Sequence, residues 1–276
     1  MDKIKKGDIV GRKSYHKDIL FVVDRIIKSS NHTIALLKGL NIRIQADSDI
    51  EDLELMDQKE INQSNNRIKN RFQKKLEKQG RQDDESESLK RSNKIIYTGK
   101  ILHLDGDRRY SEKSILFYRK MGLKAIVKNV PESRQANVVT AFLERYKPDI
   151  LVITGHDGMI KRGTAYHDIY NYRNSKHFVN AVKKARLCEK SKKDLVIFAG
   201  ACQSYYEELI NAGANFASSP ARILIDFIDP LIVAERVATT NFNKYLTIND
   251  IEDELRDGER GVSGIGAMGK KKILEI

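Results

Sequence analysis

Apolar and polar positions follow two different rhythms along these 276 residues, and the change of rhythm divides the chain into three. Over residues 1–56, short β-rich runs recur at Asp8–Gly11, Leu20–Val23, Thr33–Leu37 and Ile42–Ile44, with polar breaks such as SSNH between them. That spacing predicts a small β-barrel, SH3-like in size, of a kind that docks on a neighbour or binds a partner. Over residues 57–93 the apolar anchors thin out. Arg71–Gln79 predicts a solvated helix and DDESES reads as disordered, so a polar linker is expected.

From residue 94 to 276 short, wholly apolar runs alternate with amphipathic stretches of helical length. Strands are predicted at 95–104, 123–130, 149–154, 195–199 and 215–218, and helices at 112–121, 131–146, 176–189 and 205–212. Runs that are apolar throughout suit strands buried on both faces. Their alternation with helices predicts an α/β domain, a parallel sheet covered on both sides. Beyond Pro220 helices are expected over Ile223–Ala238 and Ile248–Arg256, the second capped by Thr247.

Composition narrows the classes of function. No apolar run approaches the roughly 18 residues needed to span a bilayer, and MDKIKKGDIVGRK lacks the apolar core of a secretory signal, so a cytosolic start and no membrane partner are expected. Two cysteines, Cys188 and Cys202, are too few for a disulfide framework. Without a CxxC pair or a close His/Asp cluster, neither a metal nor another cofactor is expected. The net charge of +12 attracts anionic surfaces. A nucleic-acid-binding protein using the barrel and the GIGAMGKKK tail is therefore the non-enzymatic alternative, although one isolated glycine-rich turn is weak support for it.

The chemistry concentrates at two strand ends. DILVIT ends in Gly155-His156-Asp157-Gly158, and LVIFA ends in Gly200-Ala201-Cys202. Consecutive parallel strands are usually neighbours, which brings an imidazole and a thiol to the crevice where α/β proteins bind ligands. A free thiol, with a pKa near 8.5, is mostly protonated at neutral pH, and a neighbouring imidazole favours thiolate chemistry. Glycines beside His156 admit a close backbone, and amides at Asp157, Gly158 and Cys202 are candidate oxyanion donors. His103 and His167 lie beside the site without a visible partner, His177 begins a helix, and Cys188 is expected in a helix core. Tyr166, Tyr170, Tyr172 and Arg173 either line a groove or form a solvated loop.

A strand ending in a histidine-glycine turn, then one ending in alanine-cysteine, resembles the caspase, gingipain and legumain clan of cysteine peptidases. TGHDG, NYRNS, FAGACQS and SSPARILIDFIDP, behind a small barrel, more closely resemble the YabG family of sporulation-specific proteases over nearly the whole chain. This resemblance implies a caspase-like domain with a His156/Cys202 dyad, in which Cys202 attacks the scissile carbonyl and His156 protonates the leaving amine. It also implies processing of spore-coat and related spore proteins in the mother cell. Asp157, inserted between histidine and glycine, departs from the wider clan. Arginine-specific members of the clan carry an acidic residue just after the first strand, where this chain has Asp105 and Asp107. Asp226 and Asp229 are alternatives for the same S1 pocket, and a mere turn around Gly106 is an equal reading. Self-processing is open too: Arg134 is an internal arginine, although it sits on a predicted helix. A glutamine-amidotransferase-like hydrolase would place its cysteine before its histidine, the reverse of this order.

Overall fold

The computed structural model describes residues 4–29, 32–90, 94–160, 166–189 and 191–275. Two residues of the SSNH break, 91–93 of the expected linker and the last residue of the tail lie outside them. The protein is of mixed α/β class. Its N-terminal part is an antiparallel sheet of β1 (Ile9–Arg12), β2 (Phe21–Lys28), β3 (Thr33–Gly39), β4 (Gln45–Asp49) and β5 (Leu53–Leu55), ordered β4-β3-β2-β1-β5. Its inner face is apolar, with Val10, Phe21, Val23, Ala35 and Leu37 buried. Ile42–Ile44 is not a strand of this sheet. The chain leaves β3 at Gly39 and re-enters β4 at Gln45, and Gly39 N–H donates to the Ile44 carbonyl at 2.9 Å, closing a loop whose other groups bond elsewhere.

The polar stretch that follows is one helix, α1 (Gln58–Lys90), which includes the DDESES run expected to be disordered. Asp57 and Glu60 exchange side-chain bonds with each other's amides at its start, the reciprocal cap that satisfies free N–H groups. Ile68, Phe72 and Leu76, four residues apart, lie on one helical face and pack on the core. Three anchors were too sparse to register as a periodicity.

The expected strand at 95–104 is two strands, because Gly99 N–H bonds to the Ala238 carbonyl, outside any ladder. β6 (Lys94–Tyr97) leaves the main sheet and pairs with the chain's end, whereas β7 (Ile101–Asp105) lies near its centre. The remaining elements are α2 (Arg108–Lys120), β8 (Ala125–Asn129), α3 (Glu132–Tyr146), β9 (Ile150–Thr154), α4 (Ser175–Cys188), β10 (Val196–Ala199), α5 (Tyr206–Asn211), β11 (Phe216–Ser218), α6 (Asp229–Thr239), β12 (Tyr245–Leu246), α7 (Gly258–Gly261), β13 (Val262–Gly264), β14 (Ala267–Met268) and β15 (Lys272–Glu275). The main sheet runs β13-β11-β10-β9-β7-β8, parallel except for β13. Every residue of β7, β9, β10 and β11 is buried, as continuous apolar runs require. Residues of α2 and α6 join the core on one face, and those of α3, α4 and α5 the core on the other.

Three details of the C-terminal part differ from the sequence reading. The helix expected from Ile223 begins only at Asp229, leaving Leu224 and Ile225 to pack beneath the N-terminal sheet. The helix expected after Thr247 is two short 3₁₀ turns, although the Thr247–Asp250 capping box is complete. The glycine-rich tail is β13, β14 and β15, so it forms no helix-hairpin-helix; β15 closes on β6 as an antiparallel partner. No described helix is long and apolar enough to cross a membrane.

Candidate active site

Register sets the site. Asp105 pairs with Thr154 across β7 and β9, and Ile153 with Ala199 across β9 and β10, so three strands end at one level. The turns that follow carry Asp105-Gly106-Asp107, Gly155–Gly158 and Gly200–Cys202 to one edge of the sheet. There the His156 and Cys202 turns meet over a third segment that the sequence reading did not implicate, the loop between β3 and β4. The carbonyl oxygen of Arg43 accepts from Cys202 N–H at 3.2 Å and from Asp157 N–H at 3.1 Å.

The loop is held like an added strand. Arg43 N–H donates to the Ile225 carbonyl at 3.2 Å and Phe227 N–H to the Asn41 carbonyl at 3.3 Å, with Ile42 and Asp226 bridged antiparallel. On the other side Gln45 N–H donates to the Asp157 carbonyl at 2.7 Å. The Gln45 carbonyl passes so close to Gly158 that a Cβ there would lie 2.4 Å from its oxygen, and only glycine fits. Gly158 N–H donates to Asp157 Oδ1 at 2.9 Å, so of the two neighbouring amides only that of Asp157 reaches the Arg43 carbonyl.

The side chain of Arg43 is fully buried, the only buried arginine among the described residues. Nη1 donates to Asp105 Oδ2 at 2.9 Å and Nη2 to the Phe227 carbonyl at 3.0 Å, with the guanidinium carbon 4.9 Å from the Tyr110 ring centroid. Burial alone would push the Asp105 carboxyl up; Arg43 and the adjacent His103 outweigh it, and the group lies well below the usual carboxylate range. His103, for which the sequence offered no partner, has two: Asp105 Oδ2 at 3.4 Å and the Tyr118 hydroxyl at 3.1 Å.

The other acidic candidates lie elsewhere. Asp107 caps α2 through the amides of Arg109 and Tyr110 and pairs with the Arg109 guanidinium at 2.9 Å. Its carboxylate stands 3.8 Å from His156 Nδ1. Asp226 and Asp229 both hold Arg71 of α1, and Asp226 also takes Arg256 at 3.3 Å. Of the four, Asp105 alone touches Arg43.

His156 stacks on Tyr110 with ring centroids 4.9 Å apart, its Nε2 3.4 Å from the Gly39 carbonyl. Burial pulls its pKa down to about 4 against the pull of Asp107, so the imidazole is neutral at pH 7. Burial likewise pushes the Cys202 thiol up. Its Sγ accepts from Ile225 N–H at 3.1 Å and donates to the Ile225 carbonyl at 3.4 Å. With the loop seated, the pair is therefore thiol and imidazole rather than thiolate and imidazolium.

Asp157, the departure from the clan, is a buried clamp. Its oxygens accept from the Gly158 and Asn174 amides and from the Ser175 and Ser204 hydroxyls, at 2.5–2.9 Å. Asn174 also donates to the His156 carbonyl at 2.7 Å. NYRNS and FAGACQS thus share one buried carboxylate that ties the histidine turn to the cysteine turn. Glu132 is a second such residue. It accepts from His156 N–H at 2.9 Å and fills the space that a Cβ on Gly155 would occupy. Neither was singled out from sequence for this task, because an acid in the first turn of a helix is common on electrostatic grounds alone.

Tyr166 and Tyr170 are exposed, while Tyr172 is buried against Tyr205 and Arg173 pairs with Asp47 of β4. The His167 carbonyl accepts from the Tyr205 hydroxyl at 3.2 Å, and His177 lies within α4. Cys188, expected in a helix core, is exposed, because it is the last residue of α4 on its outer side. Arg134 is exposed on α3. Among the described residues no His, Cys, Asp and Glu side chains cluster to hold a metal.

Residues 5–274 match the family described as YabG peptidase U57. The sporulation-specific protease YabG of Bacillus subtilis strain 168 is 37% identical over 278 residues, spanning 97% of this chain and 96% of that protein.

Proposed function

The chain belongs to the YabG peptidase family and is a protease, and from that premise we propose that it is a cysteine endopeptidase that cleaves after arginine. Cys202 is the nucleophile and His156 its acid–base partner. The amides of Cys202 and Asp157 stabilise the oxyanion, and Asp105 is the base of the S1 pocket, with Asp107 keeping the imidazole oriented. One observation carries this reading. A single arginine has its guanidinium on Asp105 while its carbonyl oxygen is shared by the amides of Cys202 and Asp157.

The chemistry follows from these positions. An S1 carboxylate that stays ionised while buried selects a cation, and a planar guanidinium fits it better than an ammonium. Two preorganised N–H donors at about 3 Å stabilise the negative charge that develops on the carbonyl oxygen, typically for about 10²–10³ in rate each. The imidazole delivers a proton to the departing amine. The parallel sheet, with helices on both faces and both residues at strand ends, favours a caspase-like domain behind an SH3-like N-terminal unit, joined by the 57–93 segment. The family supports substrates among spore-coat and related spore proteins in the mother cell.

The test is hydrolysis of matched arginyl and lysyl reporter peptides and of spore-coat proteins. Activity should vanish in Cys202→Ala and after iodoacetamide, and the arginine preference should collapse in Asp105→Asn. Equal activity of Cys202→Ala and wild type would sink the dyad.

A further inference from the structure

We propose that the peptide bond between Arg43 and Ile44 is itself a substrate, cut within the same molecule. The inference rests on the reading of the site given above. Three independent requirements for cleavage meet on this one residue: the guanidinium on Asp105, the carbonyl oxygen between the Cys202 and Asp157 amides, and strand-like pairing to Ile225 and Phe227. A structural ion pair would need only the first. The loop's own constraint favours the reaction as well. Its ends are fixed in β3 and β4, so the bond is presented at the site without diffusional encounter, the condition under which effective concentrations are greatest. Arg134 has none of these features.

The leaving side is also built. Ile44 is buried in the same apolar cluster as Cys202, and Gln45 is held by the Asp157 carbonyl. Open clefts of about 710 Å³ beside Asn41 and Ile42, and about 550 Å³ beside Ile44 and Gln45, border the loop on its two sides. These clefts give a cut loop somewhere to move.

The step balances with one water. Sγ leaves its two hydrogen bonds to Ile225 and bonds to the Arg43 carbonyl carbon, and the thiol proton passes to the neutral His156. The carbon–nitrogen bond breaks as His156 gives that proton to the Ile44 nitrogen. Water then hydrolyses the thioester, leaving an Arg43 carboxylate and a restored thiol. The products are residues 1–43 and 44–276.

Freshly expressed wild type and Cys202→Ala should be compared by intact mass under denaturing conditions, by N-terminal sequencing and on an arginyl reporter peptide. Wild type should yield two chains, the larger beginning at Ile44. Cys202→Ala should remain one chain of 31.6 kDa, and Arg43→Ala should lose this cut. The rate should not change on dilution, and a rate that rises with protein concentration would overturn cleavage in cis. A wild type that hydrolyses the peptide yet stays intact between Arg43 and Ile44 overturns the inference alone. A wild type that does neither overturns the peptidase assignment with it.

Discussion

Two sets of acidic residues in this protein bind arginine, and they do so under opposite conditions. Asp105 and Arg43 are both wholly excluded from water, one carboxylate to one guanidinium. Asp226 and Asp229 share Arg71, with Arg256 beside them, and both arginines are partly exposed. Burial raises every one of these carboxyls. At Asp105 a nearby guanidinium and imidazole reverse the effect, whereas at Asp229 the neighbouring Asp226 charge adds to burial and the group stays raised despite Arg71. A single buried carboxylate is thus committed to its charge and demands a cation, which is what a specificity pocket requires. The shared pair is a fastening between α1 and the α/β unit, assisted by Lys75 with Glu235 and Glu254.

That contrast can be broken first at its buried member. Asp105→Asn strands a guanidinium in a dry site, and we expect a loss of about 3–5 kcal/mol in urea unfolding. Arg43→Met with Asp105→Leu together should recover most of it, because replacing both members of a buried pair by apolar residues is often nearly neutral. A double variant as unstable as the single one would mean that the pair itself supplies the stability.

Acid is the next lever. His156 is held neutral down to about 4, below its ordinary value of about 6.5, so the unfolded chain takes up this proton first. Stability is then full above the ordinary value and declines as pH falls through the window, by up to about 3 kcal/mol at roughly 1.4 kcal/mol per unit. Asp105 acts in a lower range; its depressed pKa adds stability that is lost only as pH falls below the usual carboxylate values. Thermal midpoints against pH should slope between these limits for wild type and flatten in His156→Gln.

At the exposed fastening the effects shrink. Arg71→Ala should cost about 1 kcal/mol, and added salt should reduce the difference, as for other water-accessible pairs. It should leave the arginine-over-lysine preference unchanged. Lys17→Ala, which breaks a pair with Glu54 near the surface, should leave the urea midpoint where it was.

How far the sequence foretold this depends on whether a feature is local. Both strand ends were legible because DILVIT and LVIFA are apolar throughout, and parallel neighbours in a sheet tend to be consecutive in sequence. The acidic turn was legible as a place, but choosing Asp105 over Asp107 needed the pleat: alternate side chains of a strand point to opposite faces, and the last residue of β7 faces the loop. Arg43 was illegible, because Ile-Arg-Ile is also the alternation of an ordinary strand. Only a contact 62 positions away in sequence distinguishes it. Asp157 and Glu132 were hidden likewise, since one carboxylate braces two turns only after both strands have paired.

The strand order of the N-terminal sheet, β4-β3-β2-β1-β5, has a mechanical consequence. A break after Arg43 assigns β1, β2 and β3 to the small piece and the two flanking strands, β4 and β5, to the large one. The small piece is zipped along both edges, so severing the covalent link would not set it free. Its departure would require two hydrogen-bonded seams to open, and such fraying is governed by temperature and denaturant rather than by the peptidase. The delay between nicking and an open cleft would then be a property of the sheet, a clock set by strand separation.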